Sequence, residues 1–164
     1  MAHSKLALTL LVILVGGSLL TGCNEKKSDM HYDLTAESNS KFLADNARSL
    51  GVITTASGLQ YKVISVGHGK QISGPANVVT VTYKGWTIDG HVFDQTPTGQ
   101  TASFPAGRLI PGWVEALKLM REGDEWQLVI PAELGYGAEG AGADIGPNQT
   151  LVFDMKLISV GPPR

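Results

Sequence analysis

The chain has little of what most catalysts need. One cysteine, Cys23, stands in 164 residues, so no intrachain disulfide can form. The four histidines, at 3, 31, 68 and 91, are scattered, with no paired metal-ligand spacing and no cysteine partner. G-x-S-x-G and an activated cysteine are both missing. A formal charge of −2 leaves no basic surface for nucleic acid and no acidic block. The longest apolar run, Leu6 to Leu20, has 15 residues, short of the ~18–20 that span a bilayer. An enzyme made from this chain would work without metal, cofactor or covalent nucleophile.

That apolar run follows Lys5 and has the length of a signal-peptide h-region. It ends in "LTGC", Leu20–Cys23, which resembles the lipobox of bacterial lipoproteins, where the cysteine is lipidated and becomes the first residue. An uncleaved signal anchor is the rival reading. The expected division is a lipoprotein signal peptide at 1–22, a polar tether with one short helix at 23–57, and a folded domain at 58–164. "NEKKSDMHYDLTAESNS" is polar and aperiodic, as a solvated tether is. In "SKFLADNARSLG", Leu43, Ala47 and Leu50 recur at helical spacing, with Ser40 or Asn39 at the N-cap and Gly51 at the C-cap.

With 43% hydrophobic residues, 20 glycines and eight prolines, the rest reads as one domain of short strands and many turns. Period-two patterns dominate from Leu59 on. Leu59, Tyr61 and Val63 share a face, as do Val79, Val81 and Tyr83, and Asp89-Gly90 marks a hairpin turn before "HVFD". Trp126, Leu128 and Ile130 alternate with polar or outward residues, and so do Leu151, Phe153, Met155 and Leu157. Such alternation describes an antiparallel sheet with one face buried. One amphipathic helix fits between them, in "LIPGWVEALKLMREGD". Pro111 suits its first turn, Trp113, Leu117 and Met120 share a face, and Gly123 is expected to stop it. The class is α+β.

"LGYGAEGAG", Leu134–Gly142, spells G-x-G-x-x-G. A dinucleotide fingerprint needs those glycines between a strand and a helix of a parallel βαβ unit. Here a strand precedes, but two more glycines and a proline follow and run straight into the next strand. Asp154, about where a ribose-binding acid would lie, alternates with Phe153 and Met155 and belongs to the wet face of that strand. The stretch is therefore expected to be a strand-to-strand loop with no affinity for NAD.

"VTVTYKGWTIDGHVFDQT", "LIPGWVEALKLMREGD", "IPAELGYGAEG" and "NQTLVFDMKLISV" resemble, in order and spacing, the FKBP-type peptidyl-prolyl cis–trans isomerases. The match covers about Gly58 to Val160. "FLADNARSLGVITTASGLQYKVI" resembles the lead-in of the exported bacterial branch, the macrophage-infectivity-potentiator-like proteins. The resemblance implies a five- or six-stranded antiparallel sheet wrapped around one short helix. It puts Tyr83, Phe93, Asp94, Leu109, Ile110, Trp113, Tyr136 and Phe153 on the positions lining a proline pocket, with Ile145 as a loop contact. Trp113 would be the floor and Tyr83, Phe93 and Phe153 the walls, while the Ile110 N–H and the Tyr136 hydroxyl would bond substrate carbonyls. Asp94, Tyr136, Phe93 and Trp113 would carry catalysis.

The implied partners are proline-containing polypeptides and macrocyclic inhibitors of the rapamycin type, with no cofactor and no nucleic acid. The expected setting is the cell envelope, anchored by a lipid on Cys23. Asn24 is not the aspartate that retains many lipoproteins at the inner membrane, so the outer membrane is expected. About 30 residues between Cys23 and the domain are few for the long helical region through which related proteins dimerise, so a monomer is expected. Two positions depart from the family pattern: Ala102 replaces a common aromatic, and Asp144 replaces an apolar residue at the loop tip. The rival from another class is a catalytically weak chaperone or binding module on the same fold.

Overall fold

The computed structural model describes residues 32–163. The signal peptide expected at 1–22, Cys23 and the first part of the tether lie outside the described residues. The chain runs through α1 (Ala36–Ala47), β1 (Val52–Thr54), β2 (Gln60–Ser65), β3 (Asn77–Thr87), β4 (Val92–Gln95) and β5 (Ala102–Pro105). It continues through α2 (Pro111–Leu119), β6 (Glu125–Ile130) and β7 (Leu151–Pro163), with 3-10 turns at Ala106–Arg108 and Ala132–Leu134.

Every strand pair is antiparallel, in the order β1-β2-β6-β7-β3-β4. β5 shares an edge of β3 with β4: Val78–Val81 pair with Ala102–Pro105, and Lys84–Trp86 with Val92–Gln95. Seven strands thus fill the six positions of that order. The strands absent from the sequence reading are β1 and β5, three and four residues long, too short for alternation to show.

The alternating residues meet α2 as expected. Val79, Val81, Leu128, Ile130, Leu151, Met155 and Leu157 form one core with Trp113, Ala116, Leu117 and Met120. Leu117, Met120, Leu128, Leu151 and Leu157 are fully buried, each contributing about 1.5–3 kcal/mol through loss of apolar surface from water. Of the first expected face, Leu59 is buried and Tyr61 stacks on Trp126 at 4.3 Å, but Val63 is 37% exposed near the sheet's β1 edge.

α2 starts with Pro111, as expected, but ends at Leu119, before Gly123. The reason is Asp124. Its buried carboxylate accepts the backbone N–H groups of Arg121 and Gly67, both at 2.6 Å, and turns the chain out of the helix. Gly123, at φ +94°, makes that turn instead of capping the helix.

α1 corrects the sequence reading more deeply. Its N-cap is Thr35, whose hydroxyl accepts the Ser38 N–H; neither Ser40 nor Asn39 fills that place, and Leu34–Ser40 is not a free tether. Asn39 is buried inside the helix. Its amide donates to the Thr35 carbonyl and to Gln149, and its oxygen accepts the Thr150 N–H at 2.7 Å. Toward the other end of the helix, Asn46 donates to Gln60, which donates in turn to the Leu43 carbonyl. Val129 and Val152, which pair across β6 and β7 in line with Gln60, are buried yet stand outside the main core cluster. α1 is fastened over this second face, by bonds that cross the boundary expected at residue 58. Gly51, at φ +81°, lies in the turn into β1 and not at the helix end.

The glycine-rich stretch joins β6 to its antiparallel neighbour β7, with only the 3-10 turn Ala132–Leu134 between them. No parallel βαβ unit surrounds it. Asp154 is exposed and accepts from Gln127, a wet-face strand residue as read from the sequence.

Candidate functional site

A cavity of about 320 Å³ opens beside the start of α2. β3 supplies Tyr83, β4 supplies Phe93 and Asp94, and β7 supplies Phe153. Leu109 and Ile110 come from the extended bend before α2, Trp113 from its first turn, and Tyr136 from the loop after β6. All these positions were singled out in the sequence, and the fold brings them to one place from five segments.

The rings pack edge to face. Trp113 meets Tyr83 at 5.0 Å and 81°, and Phe153 at 5.2 Å and 81°. Phe93 stands on Phe153 at 5.5 Å and 83°. Such perpendicular pairs set the positive edge of one ring against the negative face of another, adding about 0.5–1.5 kcal/mol each beyond burial. Trp113 and Phe153 are buried and Tyr136 is 40% exposed, so the first two form the base of the cavity and Tyr136 part of its mouth.

Gly85 makes the wall possible. It lies between Asp94 and Phe153 across the sheet, beside a register shift in the β3–β4 pair. A Cβ there would come within 2.5 Å of Phe153 and 2.8 Å of Phe93. Both rings lean over the bare backbone, and no other residue leaves room for them.

The Tyr83 hydroxyl donates to the Asp94 carboxylate at 2.6 Å. Burial first, then that bond and the Asp94 charge, push the Tyr83 phenol well above its ordinary value. Burial and then Asp94 also raise Tyr136. Both phenols keep their protons at neutral pH and are hydrogen-bond donors there.

The Ile110 carbonyl accepts the N–H groups of Trp113 and Val114, while its own N–H donates to no partner among the described residues. Pro111 imposes this: the residue before proline is driven out of helical geometry, and Ile110 sits at φ −56°, ψ 146°. A free backbone donor is thereby held at the cavity wall.

Ile145 is not in that wall. It is buried in the core and exchanges both backbone hydrogen bonds with Ala141, closing the loop that carries Tyr136. Gly140, at φ +68°, fits there because a Cβ would lie 2.2 Å from the Ile145 carbonyl oxygen. Asp144, at the exposed tip, lies 3.4 Å from His91 Nε2 and links the loop to the β3–β4 turn.

Two further residues line the cavity, Phe104 on β5 and Arg108 at the end of the first 3-10 turn. Phe104 lies 6.3 Å from Trp113, at 82°. A four-residue strand gives too little alternation to mark it, and a lone arginine in an aperiodic stretch gives no signal at all. Among the described residues no group of histidine, cysteine, aspartate and glutamate could hold a metal ion.

The family model for the FKBP-type peptidyl-prolyl cis-trans isomerase matches residues 69–158, and the model for the domain amino-terminal to that isomerase matches residues 19–63. The chain is 49% identical over 129 residues to a probable FKBP-type peptidyl-prolyl cis-trans isomerase FkpA of Neisseria meningitidis, covering 78% of this chain and 47% of that one. It is 44% identical to the outer membrane protein MIP of Legionella longbeachae, covering 82% and 59%. The crystal structure of FkpA from Escherichia coli superposes with a TM-score of 0.73 at 41% identity, over 77% of this chain and 59% of that one. The chain therefore spans about half the length of the curated relatives it matches. Sequence, sheet and cavity agree, and the chain belongs to the FKBP-type peptidyl-prolyl cis–trans isomerase family, in its macrophage-infectivity-potentiator-like bacterial branch.

Proposed function

We propose that this chain is a peptidyl-prolyl cis–trans isomerase that acts, without a cofactor, on proline-containing stretches of exported polypeptides. The observation that carries the reading is the convergence of Tyr83, Phe93, Trp113 and Phe153 on one cavity that also holds the Tyr136 hydroxyl and lies against the unpartnered Ile110 N–H.

Rotation about a peptide C–N bond is resisted by ~18–20 kcal/mol, because the planar amide is stabilised by resonance that also makes its carbonyl dipolar. The twisted transition state has lost that resonance and is less polar. An aromatic cavity that strips water from the amide therefore disfavours the planar ground state more than the twisted one. The Ile110 N–H and the Tyr136 hydroxyl bond substrate carbonyls and hold the rotated geometry. This is differential binding, and no proton is transferred. Proline is selected because its tertiary amide populates both isomers and its ring fits an apolar slot over Trp113.

Lipid on Cys23 would hold the protein at the envelope, most simply at the outer membrane. The apolar run before Cys23 and the name of the Legionella relative support that setting. A monomer and competition by rapamycin-type macrocycles complete the reading.

The test is isomerisation of a short Xaa-Pro peptide by residues 24–164. Acceleration is expected, and Tyr136→Phe should lower it about tenfold or less, because one hydrogen bond is worth ~0.5–1.5 kcal/mol. Peptide binding with no acceleration would replace this reading by a binding module. Cys23→Ser should leave an unprocessed precursor, and wild-type protein recovered without lipid mass would end the anchoring idea.

A further inference from the structure

Among the described residues Arg108 is the one cation in the wall of the cavity, and Asp94 is the one anion. Asp94 is occupied by the Tyr83 hydroxyl. Arg108 is exposed, and among the described residues its side chain makes no hydrogen bond or ion pair. An arginine with five fixed N–H donors, left unpaired at the mouth of a binding cavity, is matched by a carboxylate that arrives with the ligand.

Its backbone is well placed for that role. Ala106 is fully buried, and the Gly107 N–H donates to the Pro75 carbonyl at 2.8 Å, so the short turn carrying Arg108 is pinned on two sides. Arg108 stands two residues before the free Ile110 N–H. It is also a shared wall: together with Pro75, Ala76, Pro105 and Gly107 it lines a second groove of about 500 Å³. Arg108 thus borders both the cavity and this groove.

We propose that Arg108 is a specificity determinant, favouring substrates with an acidic residue next to the proline. The inference rests on the isomerase reading above and names its preferred substrate class. An exposed Arg–carboxylate contact corresponds to about a two- to fivefold effect and is screened within ~10 Å at ordinary salt.

The test compares peptides with Glu, Gln or Lys immediately before the proline, and a second set with the same changes immediately after it. In at least one set kcat/KM should favour Glu over Lys by about two- to fivefold or more at low salt, and less at 0.5 M salt. Arg108→Gln should lower the Glu:Lys ratio by that factor, and Arg108→Glu should lower it further. A ratio that neither substitution moves in either set overturns the assignment, while catalysis of the Gln peptides in the same assay keeps the isomerase reading intact. No catalysis of any peptide would instead defeat the isomerase reading and this inference with it.

Discussion

The Tyr83 hydroxyl reaches the Asp94 carboxylate at 2.6 Å, from β3 to β4, and joins one wall of the cavity to its only acidic group. Asp94→Leu removes the acceptor and leaves Tyr83 free to turn. Activity should fall about tenfold or less while the fold persists, since Asp94 is exposed. Adding Tyr83→Phe should cost little more, because both changes break the same bond. With both phenols protonated at neutral pH, kcat/KM should be flat between about pH 6 and 8. A bell-shaped profile that Asp94→Leu abolishes would make Asp94 a proton-transfer group and defeat the binding mechanism.

The raised Tyr83 phenol also fixes a direction for alkaline stability. In the unfolded chain tyrosine ionises near pH 10, whereas in the fold Tyr83 holds its proton to higher pH. Its contribution is fully present below about pH 10 and is lost as pH rises toward the folded value. Denaturant midpoints should therefore fall above about pH 10, and Tyr83→Phe should flatten that limb. An unchanged slope in the variant would show that other groups set it.

Trp113 belongs to both the cavity and the core. Trp113→Ala should destabilise the protein by about 3–5 kcal/mol and remove most of the activity, because the base of the cavity and packing against Leu117 and Phe153 are lost together. Urea unfolding beside kcat/KM checks this. Full stability with lost activity would mean that the neighbouring rings close the gap.

Gly85→Ala tests the bare backbone under the two phenylalanines. One methyl group must displace Phe93 or Phe153, for about 1–3 kcal/mol of stability and a clear loss of rate. Wild-type activity in this variant would show that the rings can move without harm.

Asn39→Ala removes the acceptor of the buried Thr150 N–H, a loss of about 1–3 kcal/mol. A chain beginning at residue 58 should lose more, because Gln60, Val129 and Val152 would be uncovered together. Equal thermal midpoints for the shortened and longer chains would mean that α1 is dispensable.

What the sequence revealed follows from how each residue is buried. Strands with one dry face announce themselves by alternation, so β3, β6 and β7 and the helix between them were legible, and with the family pattern so were the rings that point inward. Asn39 was not, because its role depends on Thr150, 111 residues away, and a buried asparagine in a helix looks like a cap from the sequence alone. Arg108 was missed because an exposed side chain has no periodicity to break. Ile145 was read as a contact of the cavity because it sits in the right loop; its side chain turns to the core and shapes the loop from behind.

β7 comes last among the strands and lies at the centre of the sheet, paired with β3 on one side and β6 on the other. Without Leu151–Pro163, β1, β2 and β6 have no ladder to β3, β4 and β5. A chain that emerges from the ribosome amino terminus first therefore cannot close this sheet until that segment has arrived. Pairings so distant in sequence fold in milliseconds to seconds, not microseconds. The order of the strands thus puts closure of the sheet after synthesis of every other strand described.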